Sequence, residues 1–563
     1  MKVIIVGGVA GGATAAARIR RLDEHAEITV YERSGYISYA NCGLPYYIGD
    51  VITDPEELTL QTPESFFKRF RINMKIHHEV ISIHPECKTV SVKNLENSEI
   101  FEENYDKLIL SPGAKPTQPR LPGVGIDKIF TLRTVEDTFR IKEYINKNHP
   151  KSAVLAGGGF IGLELAENLR ELGMDVTIVQ RPKQLMNPFD PDMASMIHNE
   201  MRKHGIKLVL GYTVEGFKEK DNGVEVLLKD NPSLQADMVV LAIGVTPDTV
   251  LAKEAGLELG IKESIVVNDR METSVPDIYA AGDAVQVKHY VTGNDALISL
   301  AGPANKQGRI IADNICGGDS RYLGSQGSSV IKVFDMTAAT TGINETNAKK
   351  SGLEVDTVIL SPMSHAGYYP GGKVMTMKVV FEKESYRLLG AQIIGYEGVD
   401  KSIDVLATAI HAGLNATQLK DLDLAYAPPY SSAKDPVNMA GFMIDNIAKG
   451  TLKQWHLEDM DKISKDKDVV LLDVRTVGEF SMGHIDGFKN IPVDELRERI
   501  SEIEKGKPVY LICQSGLRSY IASRILEGNG YETYNFSGGF RFYDAVVNDR
   551  ALIERAYACG MDY

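Results

Sequence analysis

The stretch Val3-Ile4-Ile5-Val6-Gly7-Gly8-Val9-Ala10-Gly11-Gly12 constrains the fold of this chain more than any other. A short apolar run reads as a buried strand, the glycines as a tight turn, and the alanine-rich segment to Leu22 as a helix opening at that turn. A second strand, Ile28 to Tyr31, ends in Glu32, 20 residues beyond Gly12. Backbone N–H groups at such a helix start attract a pyrophosphate, and an acid at that distance reaches a ribose hydroxyl. Val9 stands where the usual pattern has its middle glycine.

The pattern occurs twice. Ala153 to Ala156 leads into Gly157-Gly158-Gly159-Phe160-Ile161-Gly162-Leu163-Glu164, and the strand Val176 to Val179 follows. Two copies about 150 residues apart predict two Rossmann-like dinucleotide-binding domains. At the acidic position of the second copy stands Gln180, followed by Arg181. Replacing an anion by a cation suits a 2′-phosphate, which favours NADPH or use of both nicotinamides.

A chain of 563 residues is too long for a single core and implies three or four domains. Its net charge of −14 argues against nucleic acid or an anionic membrane as main partner, and no apolar run approaches a membrane span. Five cysteines, scattered at 42, 87, 316, 513 and 559, make no disulfide framework, so a reducing cytoplasm is expected.

Just past the first glycine unit lies Ser38-Tyr39-Ala40-Asn41-Cys42-Gly43-Leu44-Pro45. A loop turning into a helix is expected here, with Cys42 near the helix N-terminus in a field that favours thiolate. The next cysteine, Cys87, sits in an amphipathic stretch read as structural.

Leu108 to Ala114, with Ser111 and Gly113, and Val275 to Ala284, with Gly282 and Asp283, complete a set of motifs that resembles the two-dinucleotide flavoprotein disulfide reductases over residues 1 to about 445. The dithiol members place a second cysteine five positions after the first, where this chain has Tyr47. The sequence therefore resembles the single-cysteine branch, which holds coenzyme A disulfide reductases, NADH oxidases and NADH peroxidases. Oxidase and peroxidase members usually carry a histidine in the first glycine loop, where Ala10 stands here. The resemblance implies FAD held by Gly7, Ala10, Gly11, Gly12, Glu32, Arg33, Asn41, Ser111, Gly113, Gly282, Asp283, Pro303 and Ala304. It implies NAD(P)H at Gly157, Gly159, Phe160, Gly162, Glu164, Gln180, Arg181 and Gly244. For coenzyme A it implies Thr14, Arg18, Arg21, Ser38, Asn41, Asn305 and Lys434, to which the basic run Lys68, Arg69 and Arg71 is added. Phe160 would cover the flavin until nicotinamide displaces it.

Residues 326 to 446 read as an α+β unit similar to the family's dimerisation domain, which completes the partner subunit's site. Its Tyr368 and Tyr426 are the positions that the resemblance sets near the reactive sulfur, where a phenol can protonate a leaving thiolate. The FAD-binding domain is expected over 1–150 and 271–325, and the NAD(P)H-binding domain over 151–270.

After a linker over 447–464, holding the only Trp, at 455, the pattern resets. Val469 to Arg475, Gly483 to Gly487, and the strand before Cys513-Gln514-Ser515-Gly516-Leu517-Arg518-Ser519 resemble a rhodanese-like α/β domain over 465–563. Four residues between Cys513 and Arg518 fit sulfur chemistry, whereas phosphatases with a similar loop use five. Gln514 replaces the basic residue that rhodaneses often carry after the cysteine, which puts thiosulfate as donor in doubt. Asp473 and Arg475 are expected to pair as a structural buttress, and Cys559 is given no role.

The whole reads as a homodimeric FAD-dependent NAD(P)H oxidoreductase. Through Cys42 it would reduce coenzyme A persulfide, polysulfide and coenzyme A disulfide, releasing coenzyme A and hydrogen sulfide. Cys513, with Arg518, would handle sulfane sulfur, and no metal is expected. The alternative is an NAD(P)H oxidase or peroxidase cycling Cys42 through sulfenic acid, with the last domain as a binding module.

Overall fold

The structure, a computed structural model, describes the backbone of residues 1–220 and 223–559 and side chains through Arg555, so the Cys559 side chain falls outside it. The chain forms two compact units, Met1–Pro182 with Gly205–Gly327, and Lys183–His204 with Ser328–Tyr563.

The first unit builds the same arrangement twice. In the first copy, parallel strands run in the order Ile278–Ala280, Lys107–Leu110, Lys2–Val6, Glu27–Tyr31 and Asn73–Lys75. In the second they run Ile129–Thr131, Met238–Leu241, Ser152–Ala156, Asp175–Gln180 and Lys207–Leu210. Near-continuous apolar runs suit central strands covered on both faces, and Val3, Ile4 and Ile5 are fully buried. Each copy adds a three-stranded antiparallel sheet, His78–His84, Thr89–Asn94 and Ile100–Asn104 in one, Val214–Lys220, Gly223–Leu228 and Asn231–Ala236 in the other. The strand Ile278–Ala280 returns to the first sheet from far along the chain.

Glycine is required where these turns close. Gly7 and Gly157 have φ of +97° and +119°, and a Cβ on Gly12 or Gly162 would sit 1.9 or 2.1 Å from the carbonyl oxygen of Gly7 or Gly157. No rotamer relieves such a clash with backbone. The glycines thus set how closely each helix packs on its strand.

In the second unit, a five-stranded antiparallel sheet runs in the order Ser329–Val333, Met336–Gly342, Leu388–Gly395, Thr376–Glu382 and Val355–Leu360. The helix Pro191–Lys203 belongs with this unit. Beneath it Lys378, almost wholly buried, meets Asp190 at 3.2 Å, Asp192 at 2.8 Å and Glu345 at 2.7 Å. The C-terminal parallel sheet has the order Gln454–Trp455, Thr533–Phe536, Val509–Ile512, Val470–Asp473 and Lys489–Asn490. Trp455 lies inside the stretch read from sequence as a linker, yet it forms an edge strand here. Its indole packs on Phe536 and donates to the Leu511 carbonyl oxygen at 3.3 Å.

Candidate functional site

The helices Ala10–Leu22 and Phe160–Glu171 both begin without a side-chain cap and without an acid in the first turn. Their leading N–H groups are left for an anion, which is what a dinucleotide pyrophosphate supplies. A Cβ on Gly159 or Gly244 would meet only open space, and one on Gly113 only the Arg133 guanidinium. Both glycine loops are tied alike. Glu32 accepts from Gly8 N at 2.9 Å and from Ser34 N at 2.9 Å, while Gln180 accepts from Gly158 N at 3.0 Å. Arg181 beside Gln180 is exposed. These features fit two dinucleotides.

Other residues expected around the flavin are held by protein partners. Asp283 accepts from Arg133 at 2.6 Å, and Gly282 N donates to Gln307 at 2.7 Å. Arg33 pairs with Asp248 at 2.9 Å. Pro303 and Ala304 fall in the first turn of the helix Ala301–Ile315, which packs along Ala10–Leu22; a Cβ on Gly308 would lie 2.4 Å from the Gly11 carbonyl oxygen. Across that contact Thr14 donates to Asn305 at 2.7 Å and Arg18 donates to Asp313 at 2.7 Å. Four of the cations expected for coenzyme A, namely Arg21, Lys68, Arg69 and Arg71, are exposed in the first unit, and Lys434 is exposed in the second.

Cys42 is placed by the glycine loop. Ser38, with a left-handed φ of 45°, donates its N–H to the Gly8 carbonyl oxygen at 2.9 Å, and the strand Ile37–Tyr39 delivers the chain to a single 3-10 turn, Asn41–Gly43. The helix Leu44–Ile48 follows at once, so the expected loop-to-helix step is present but only five residues long. Lys142 secures its far end, donating to the Ile48 carbonyl oxygen at 2.9 Å and to Asp50 at 2.6 Å. Tyr47 packs edge-on against Phe139, with ring centroids 5.6 Å apart.

The electrostatics correct the expected thiolate. The Cys42 sulfur reaches the surface, yet burial behind it pushes the thiol up, the Glu164 carboxylate adds to this, Arg133 opposes, and Asp283 raises it further. One short helix cannot outweigh lost hydration and two anions. Glu164 is itself pushed up to about 7 by burial and by Glu167. Tyr46 is pushed to about 12 by burial, then by Glu164 and Glu167. The site of the first unit is therefore a surface thiol next to a carboxyl poised near neutrality. Cys87, read as structural, is instead exposed on the turn between two strands of the first antiparallel sheet.

In the second unit, Tyr368 and Tyr426 are both exposed and their hydroxyls lie 2.5 Å apart. A cavity of about 460 Å³ opens beside Tyr426, with His365, Glu397, Lys401 and Tyr430 in its wall.

Around Cys513 the loop forms the cradle that its glycine and serine suggest. The sulfur accepts from Gly516 N at 3.1 Å and from Ser519 Oγ at 3.2 Å, and it is 1% exposed. Asp473 and Arg475 form the expected buried pair, with Nη2 to Oδ2 at 2.7 Å. Arg518 points away from a free role: both its terminal nitrogens donate to Glu479, each at 2.7 Å. Arg133, Tyr46 and Glu479 were not singled out from sequence, and no local motif marks them, whereas Ser519 closes the cysteine loop. No cluster of metal ligands occurs among the described residues.

Comparison with known proteins follows the same division. Residues 1–308 match the pyridine nucleotide-disulphide oxidoreductase family, 328–436 its dimerisation domain, and 456–545 the rhodanese-like domain. Coenzyme A disulfide reductase of Staphylococcus aureus is 38% identical over 442 residues, 78% of this chain and 99% of that protein. The crystal structure of reduced CoADR-RHD from Bacillus anthracis is 48% identical with a TM-score of 0.95, covering 98% of each chain. A NAD-dependent persulfide reductase from A. fulgidus is 38% identical with a TM-score of 0.90, over 96% of this chain and all of that one. With two dinucleotide cradles, an exposed Cys42 that has no cysteine five positions on, and these matches over nearly its whole length, the chain belongs to the pyridine nucleotide-disulphide oxidoreductase family, in a form carrying a C-terminal rhodanese-like domain.

Proposed function

We propose that the chain is an FAD-dependent NAD(P)H oxidoreductase, acting as a homodimer in the cytoplasm, that reduces coenzyme A persulfide, polysulfide and coenzyme A disulfide through Cys42. The observation that carries this reading is Cys42 itself, an exposed free thiol whose five-on neighbour is Tyr47 packed against Phe139. Without an adjacent thiol to close a disulfide, its oxidised form must be a mixed disulfide with a small molecule or a sulfur acid. The relatives named for coenzyme A disulfide and persulfide favour the first.

FAD would rest on Gly7 to Gly12, Glu32 and the Gly282-Asp283 turn, and NAD(P)H on Gly157 to Gly162, with Arg181 free to meet a 2′-phosphate. When bound, FAD supplies an electron pair taken from NAD(P)H. The Cys42 thiolate attacks the coenzyme A sulfur of the persulfide, the sulfur–sulfur bond breaks, and HS⁻ leaves. Two electrons and a proton then cleave the mixed disulfide, restoring the Cys42 thiolate and freeing coenzyme A. In the dimer, Tyr368 and Tyr426 of one copy would protonate the thiolate leaving the other copy's Cys42. Thr14, Arg18, Arg21, Ser38, Asn41, Lys68, Arg69, Arg71, Asn305 and Lys434 would hold the nucleotide and pantetheine. Cys513 would accept sulfane sulfur, with Arg518 closing its loop.

The test is Cys42→Ser. Turnover of all three sulfur substrates is lost while NAD(P)H still bleaches the flavin, and intact mass of the wild-type chain shows a reductant-labile adduct of coenzyme A on Cys42. Retained turnover in the serine variant would sink the reading. Sulfenic acid on Cys42, with no coenzyme A recovered, would move the assignment to an oxidase or peroxidase.

A further inference from the structure

Two arginines near Cys513, Arg475 and Arg518, are each matched to a carboxylate. Arg475 is buried, pairs with Asp473, donates to the Gly483 carbonyl oxygen at 2.8 Å and stacks 3.8 Å from the Phe540 ring centroid. Arg518, the one cation within the cysteine loop, spends its fork on Glu479. Glu479 is in turn held by its own helix start, accepting from Thr476 N at 3.0 Å and Thr476 Oγ1 at 2.9 Å. The Arg518 guanidinium keeps that carboxyl at about 2, so it stays an anion at any working pH. Gln514, next to the cysteine, is neutral, and the groups that touch the sulfur are an amide and a hydroxyl.

A dianionic donor such as thiosulfate must bring two negative charges against a buried thiolate, and sulfite must leave as a dianion. That approach is helped by an uncompensated cation, and the arginine of the cysteine loop itself, Arg518, is compensated by Glu479. We propose that Glu479 is a specificity-determining residue: by neutralising Arg518 it bars inorganic dianionic sulfur donors and reserves Cys513 for organic persulfides whose sulfane sulfur ends an uncharged arm. The inference rests on Cys513 being a sulfur acceptor. In either transfer the Cys513 thiolate attacks the sulfane sulfur, a Cys513–sulfur bond forms, and the donor's sulfur–sulfur bond breaks with its electron pair leaving on thiolate or sulfite.

The experiment measures, in the full-length holoenzyme, sulfur transfer to cyanide from thiosulfate and from coenzyme A persulfide, with Cys513→Ser as blank. Glu479→Gln, which keeps the size and one accepting oxygen, raises the thiosulfate-to-persulfide ratio of kcat/KM at least tenfold, and Glu479→Gln with Arg518→Gln loses that gain. Gln514→Arg adds a cation with Glu479 untouched and raises the same ratio, so a misfolded Glu479 variant does not remove the test. An unchanged ratio in a folded Glu479→Gln overturns the proposal, as do an unchanged ratio in Gln514→Arg and a wild-type chain equally fast with thiosulfate. A wild-type Cys513 that takes sulfur from neither donor instead overturns its role as acceptor.

Discussion

The hydroxyls of Tyr368 and Tyr426, 58 residues apart in sequence, lie 2.5 Å from each other on the surface of the second unit. Only one proton fits between two oxygens at that separation, so the second proton is turned outward and is available to an acceptor. The bond to Tyr368 holds Tyr426 above the usual phenol range, which keeps it protonated through neutral pH.

A pair that acts as a unit loses its effect when either member goes. Tyr368→Phe and Tyr426→Phe are each expected to lower kcat for coenzyme A persulfide by about ten- to a hundredfold with a smaller change in KM. The double variant falls little further than either single one. Steady-state kinetics of the three proteins check this, and multiplicative losses would show two independent residues.

The carboxyl of Glu164 sets when Cys42 ionises. Burial, then the Glu164 anion, raise the thiol, and Glu164 itself titrates at about 7. Above that pH the carboxylate works against the thiolate, and below it the carboxyl is neutral and its influence disappears. Glu164→Gln is therefore expected to move the Cys42 alkylation profile to lower pH and to speed alkylation several-fold at pH 8. Below about pH 6 the variant and the wild type converge. The measurement is the iodoacetamide rate on Cys42 against pH, followed by mass.

What the sequence made legible was what is written locally. The glycines of both turns, the acid Glu32 and its counterpart Gln180, and the cysteine loop at 513 are short-range patterns, because a tight turn or a sulfur cradle is built by consecutive residues. Arg133 beside Asp283, Glu479 on Arg518 and the Glu164 influence on Cys42 span 150, 39 and 122 positions. Charge pairing at such separations depends on how strands and helices come together, and nothing in either local stretch announces it. The same limit explains the thiolate expected at Cys42: helix polarity can be read from a sequence, whereas the burial and carboxylates that outweigh it cannot.

The two glycine turns offer paired tests of which cradle takes which nucleotide. A Cβ on Gly12 or Gly162 meets the carbonyl oxygen of Gly7 or Gly157 at about the same distance, 1.9 against 2.1 Å, so Ala imposes a comparable backbone strain at each. Gly12→Ala is expected to yield protein with flavin absorbance well below one FAD per chain. Gly162→Ala keeps its flavin, and NAD(P)H no longer bleaches it at the wild-type rate. Loss of flavin from the Gly162 variant alone would exchange the two assignments.

The buried ammonium of Lys378 is the charge whose removal should cost the second unit most. Burial opposes the ammonium, but Asp192, Asp190 and Glu345 outweigh it and hold its pKa above the ordinary lysine range. Burial likewise pushes Asp190 and Glu345 up, and Lys378 brings both below their usual values. Lys378→Met leaves three carboxylates around an apolar chain, a loss of about 3–5 kcal/mol for a broken buried ion pair. Groups with depressed pKa values contribute stability above their unfolded pKa, about 4 for carboxylates, and lose it as pH falls through the folded value. The gap in Tm between wild type and Lys378→Met should therefore be full at pH 7 and narrow below about pH 4, where the stranded carboxylates take up protons. Thermal unfolding at the two pH values checks both parts, and a gap that widened on acidification would mean that Lys378 is stabilised by its alkyl packing and not by the three anions.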